Sequence, residues 1–79
     1  MRLDKYLKVS RLIKRRTIAN DACDAGRVLV NGKTARASYD VKVNDVIELS
    51  FGSNTLKVKV NLVTEVVRKE AAAEMYTVL

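Results

Sequence analysis

The sequence predicts an α+β fold, in which two N-terminal helices pack on a small twisted antiparallel sheet and a short C-terminal helix follows. Three observations predict it. Apolar residues recur twice at helical spacing before residue 26, and an Asn–Gly pair follows a short β-rich run. From residue 46 to 60, apolar and polar side chains then alternate with a period of two. The 79 residues are expected to form one domain, 1–79, around one small core. At this size only about 60% of the unfolded chain's surface is buried.

Leu3, Tyr6 and Leu7 fall on one helical face, and Asp4 sits in the first turn, where the helix dipole favours a carboxylate. The first helix is therefore expected over residues 3–9, bending or fraying at Ser10. Residues 11–16 combine four cations with Leu12 and Ile13, which is the composition of a turn pinned by its apolar pair. Thr17 is a suitable N-cap for a second helix over 18–25. Its inward face would be Ile18, Ala19, Ala22 and Cys23, and its outward face Asn20, Asp21 and Asp24. Gly26 follows where a left-handed residue ends a helix.

Residues 27–30 form a short β run, Asn31–Gly32 a two-residue hairpin turn, and residues 33–36 its returning strand. Residues 37–44 cross over as a loop, and Asn44–Asp45 turn into a strand over 46–51 with Ile47, Leu49 and Phe51 inward. A second hairpin turn at 52–54 leads to 55–60, with Leu56, Val58 and Val60 inward and Lys57 and Lys59 outward. Residues 62–67 read as a further strand or its continuation. The three alanines within 68–76 favour a short helix by propensity.

The formal net charge of +6 is confined to one end. Residues 1–16 carry seven cations and one acid, whereas the remainder carries eight of each sign. That is one basic surface on a neutral scaffold, and nucleic acid is the partner it suggests. Arg2, Lys5, Lys8, Arg11, Lys14, Arg15 and Arg16 are the candidate contacts, with Thr17 at a helix start and Lys33 beside the hairpin turn. Arginine suits the task because its planar fork bridges phosphate oxygens. Asp4 is the lone acid among them; it either orients a neighbouring arginine or hydrogen-bonds a base or ribose.

Several classes are excluded or disfavoured. There is no histidine and only one cysteine, Cys23, so imidazole catalysis, an internal disulfide and an ordinary zinc site are out of reach. With no Gly-rich phosphate loop, neither an enzyme nor a cofactor nor a small-molecule substrate is expected. No apolar run approaches a membrane span and no signal-peptide core is present, so a cytoplasmic setting is expected. A helix–turn–helix reader of duplex DNA would present Asp21 and Asp24 to a polyanion. Scattered aromatics, at Tyr6, Tyr39, Phe51 and Tyr76, offer no stacking platform for single strands. Folded RNA, read by shape and phosphates, remains; the alternative is a basic adaptor for an acidic protein.

The elements Arg2-Leu3-Asp4, Ser10-Arg11, Arg16-Thr17 with Ala19, Gly26-Arg27-Val28 and Val30-Asn31-Gly32 occur in this order. Together they resemble the RNA-binding domain first seen in ribosomal small-subunit protein four, over a core of about residues 2–50. The chain is most similar to short stand-alone members, the heat-shock-protein-fifteen-like group and within it the ribosome-associated quality-control factors of Gram-positive bacteria. The resemblance implies a protein that binds stalled large ribosomal subunits through ribosomal RNA and peptidyl-tRNA. It also implies a partner factor on the same subunit that adds a C-terminal alanine tail to the nascent chain. By position it assigns Arg2, Asp4, Arg11 and Arg16 to the RNA-facing surface. The broader alternative is a structured-RNA binder in large-subunit rescue or assembly. The long basic C-terminal tail of the heat-shock members is missing here, so nothing of its function is transferred.

Overall fold

The computed structural model describes residues 1–65 and 68–79. Helix α1 spans Leu3–Val9 and helix α2 Arg16–Asp24. Strands follow at β1 Val28–Val30, β2 Lys33–Thr34, β3 Val46–Phe51 and β4 Asn54–Val60. A 3-10 helix, Lys69–Met75, then leads into β5, Tyr76–Val78. The five strands form one antiparallel sheet in the order β2-β1-β3-β4-β5.

Register follows from the hydrophobic alternation. Val30 pairs with Ile47, Ile47 with Val58, and Val58 with Val78, so one row of branched side chains crosses four strands. Leu3, Tyr6 and Leu7 of α1 and Ala19 and Cys23 of α2 share a single core cluster with Val28, Val30, Ile47, Leu49, Val58 and Val60. The two helices thus cover one face of the sheet. On the other, Leu29, Glu48 and Lys57 line up in register, with a Lys57–Glu48 ion pair at 3.7 Å. Burial drives the Cys23 thiol up to about 11, which fits its packing as a small apolar side chain.

Local chemistry fixes the turns. Gly26 adopts φ +75°, and the Gly26 and Arg27 amides donate to the Cys23 and Ala22 carbonyls, a Schellman closure of α2. Asn31 and Gly32 both have positive φ, as the twist-matched two-residue hairpin requires.

Several expectations change. Helix α2 starts at Arg16, and Arg15, in extended conformation, occupies the N-cap without a side-chain bond, so Thr17 is an exposed helical residue rather than the cap. With Ala19 and Cys23 turned into the core, Ile18 falls outside the inward face and is half exposed. Phe51 is also about half exposed, because it closes the β3–β4 hairpin beyond the reach of the helices. The strand returning from the first hairpin has only two residues. Residues 62–65 of the expected strand over 62–67 are not in a strand, and Val66 and Val67 lie outside the described residues. The alanine-rich stretch forms a 3-10 helix whose inward residues, Ala72 and Met75, are three apart, the repeat of that helix. Strand β5 was not expected; Val78 and Thr77 carry β propensity, but the segment is too short to show alternation.

Candidate nucleic-acid interface

Asp4 organises the basic surface. It lies in the first turn of α1 and is 2% exposed. Arg2 donates to it from Nε to Oδ1 at 3.1 Å and from Nη2 to Oδ2 at 3.4 Å. The Lys5 amide donates to Oδ1 at 2.8 Å, while Asn20 Nδ2 and Arg16 Nε reach Oδ2 at 3.2 and 3.5 Å. A buried carboxylate is costly unless its lone pairs are filled. Here five donors from α1, its N-cap residue and α2 fill them. Burial alone would raise the Asp4 carboxyl, but the bonds from Arg2, Asn20 and the Lys5 amide, with the Arg16 charge, hold it at about 2.

The consequence is positional. The Arg2 and Arg16 side chains remain half exposed above a buried anion that fixes both. Each guanidinium is tethered through part of its donor set, and the rest is available to a ligand. Asp4 itself is covered by its partners and is not presented at the surface. Asn20, which sequence reasoning placed only on an acidic outward face, is the third side chain holding it. Its signal was the spacing, since Arg16 and Asn20 are four apart and share a face of α2.

The remaining cations separate into groups. Lys8 and Arg11 lie at the end of α1, and Lys14 and Arg15 on the following turn. All four are exposed and make no ion pair among the described residues. Ile13, 6% exposed, anchors that turn in the core, and its amide donates to the Leu7 carbonyl at 3.0 Å. Arg11 takes the left-handed position after the helix, with φ +63°. Lys5 is drawn into a 3.3 Å ion pair with Glu65. Lys33 stands apart on β2, next to the hairpin turn.

Electrostatics within α2 also matter. Lys14, Arg15 and Arg16 surround its N-terminus, the positive end of the dipole, where no side chain caps the first amides. Like charges are thereby gathered where an anion is favoured.

Residues 1–47 match the family described as the S4 domain. Over 79 residues the chain is 53% identical to the RQC P-site tRNA stabilizing factor of Bacillus subtilis (strain 168), covering all of this chain and 92% of that protein. Identity is 54% over 79 residues to the protein of the same name from Streptococcus pneumoniae (strain ATCC BAA-255 / R6), with 100% and 90% covered. Among solved structures, the trimeric Vibrio cholerae heat shock protein 15 superposes with a TM-score of 0.93 at 28% identity, covering 100% of this chain and 81% of that one.

Proposed function

The chain belongs to the S4-domain family, and on that premise we propose that it is a non-catalytic RNA-binding protein of ribosome-associated quality control. It docks on the large ribosomal subunit, grips ribosomal RNA phosphates, and steadies a tRNA in the peptidyl site. A partner factor on the same subunit then extends the stalled nascent chain with a C-terminal alanine tail.

The observation that carries the reading is the pair Arg2 and Arg16, held half exposed over buried Asp4. An arginine fixed in advance loses less side-chain entropy on meeting a phosphate than a free one. Lys8, Arg11, Lys14 and Arg15 extend the surface as charges without a protein partner among the described residues. Thr17, in the first turn of α2, lies against the same approach. The names of the relatives above, each a P-site tRNA stabilizing factor, support the choice of tRNA and of the ribosome.

Co-sedimentation with purified large subunits carrying peptidyl-tRNA tests it. Arg16→Ala is expected to reduce the bound fraction about tenfold, and Lys57→Ala, on the opposite sheet face, to leave it within about twofold; a lost phosphate contact of about 1.4 kcal/mol corresponds to the former. Equal losses from the two variants would remove the proposed face.

A further inference from the structure

A second basic feature lies outside the helical surface. The short strand β2 and the loop after it line an open cleft of about 640 Å³, in which Val30 and Ala35 are buried and Lys33, Arg36, Ser38 and Tyr39 also take part. That volume is in the range of a site for one small ligand, roughly 300–1,000 Å³. A space of that size is large enough for one nucleotide. Neither Lys33 nor Arg36 makes an ion pair among the described residues, and no acidic side chain lines the cleft.

The wall formed by Tyr39 is fixed in place. Its hydroxyl donates to Asp45 Oδ2 at 3.0 Å. Asp45, 9% exposed, also accepts from Asn31 Nδ2 at 3.1 Å and from the Lys42 amide at 2.9 Å. The Asn31 side chain in turn accepts from the Val46 amide at 3.0 Å, so one buried carboxylate ties the hairpin turn, the aromatic ring and the start of β3 together. Tyr39 is half-buried against the core and held at its polar end, so although the scattered aromatics form no platform for a strand, the part of this ring that lines the cleft is fixed in advance for one base. The loop that lines the cleft is tied to the start of α1, beside the Arg2 and Asp4 site. The Leu3 amide donates to the Tyr39 carbonyl at 2.8 Å and the Asp4 amide to the Ala37 carbonyl at 3.2 Å.

We propose that this cleft takes one unpaired nucleotide of a structured RNA, its base stacked on Tyr39 and its phosphate held by Arg36 and Lys33. The inference rests on the RNA-binding reading above and adds to it a preference for RNA with an extruded residue. The helical cations then grip the flanking backbone, while the cleft reads a local irregularity of shape.

The test is fluorescence anisotropy of the full chain with two RNA hairpins, identical except that one carries a single bulged adenosine. The wild-type chain is expected to bind the bulged hairpin about tenfold more tightly, as one stacked base allows. Arg36→Ala, at an exposed position, and Tyr39→Leu are each expected to bring that ratio to within about twofold of one. Arg16→Ala should weaken both RNAs alike and leave the ratio unchanged. Equal wild-type affinity for the two hairpins, or a ratio undiminished in Arg36→Ala, would overturn the cleft proposal and leave RNA binding intact. Binding of neither hairpin by the wild-type chain would overturn the RNA reading and this inference with it.

Discussion

A carboxylate buried beneath basic side chains can influence RNA binding through charge or through geometry, and the two act with opposite sign. As a charge, Asp4 opposes the polyanion, and Asp4→Asn raises the formal net charge by one from +6. As a positioning group it holds Arg2 and Arg16, and the same variant releases them. The geometry favours the second, so Asp4→Asn is expected to weaken affinity for structured RNA several-fold despite the added positive charge, measured by anisotropy at fixed salt. The same residue predicts the acid limb of stability. Its folded value, about 2, is below an ordinary aspartate's, about 3.9. Its contribution, about 2 kcal/mol, is therefore complete above roughly pH 5 and lost as pH falls towards 2. Urea midpoints at pH 6 and pH 2.5 should differ less in Asp4→Asn than in the wild-type chain. Orienting an arginine was one of two roles the sequence left open for Asp4, and its burial beneath Arg2 and Arg16 goes against the other, direct contact with RNA; its link to Asn20 was not legible, because it joins two helices whose relative placement no single periodicity encodes.

Among the elements, the end of α1 shows how a local conformational cost coincides with a proposed binding role. Arg11 occupies a left-handed position where glycine is common, and its amide closes the helix on the Lys8 carbonyl at 3.0 Å. For an L-residue that conformation costs on the order of 1 kcal/mol. Arg11→Gly is expected to raise stability by roughly 0.5–1 kcal/mol in urea denaturation while lowering RNA affinity, since the gain in backbone freedom removes a cation. Helix α1 could be read to its last residue because Leu3, Tyr6 and Leu7 define a face and Ser10 ends it. The start of α2 was misplaced for a physical reason. Thr17 has the better capping chemistry, but the bonds of Arg16 and Asn20 to Asp4 and the burial of Ala19 draw the helix two residues back. Arg36 was passed over although Ala35 and Ala37, both buried, bracket it as an outward residue. Strand β5 is held by its partner and by the Asn61–Thr77 side-chain bond, tertiary contacts that leave no mark in three residues of sequence.

For the whole molecule, charge asymmetry sets the response to salt. A surface that meets about five phosphates is expected to give a log–log slope of affinity against salt on the order of −4, and a slope near zero would remove the electrostatic account. The helical layer that carries these cations is joined to the far end of the chain. The Tyr6 hydroxyl, buried in α1, donates at 2.8 Å to the carbonyl of Met75, and the Asn61 and Leu62 amides turn to that same carbonyl. A buried hydroxyl without its acceptor costs about 1–3 kcal/mol. During synthesis, α1 emerges first yet lacks this acceptor until residue 75 has been added, and β5 cannot pair with β4 before then. The helical layer therefore reaches its final packing only after residue 75 has been added, so a shorter nascent copy lacks the finished surface.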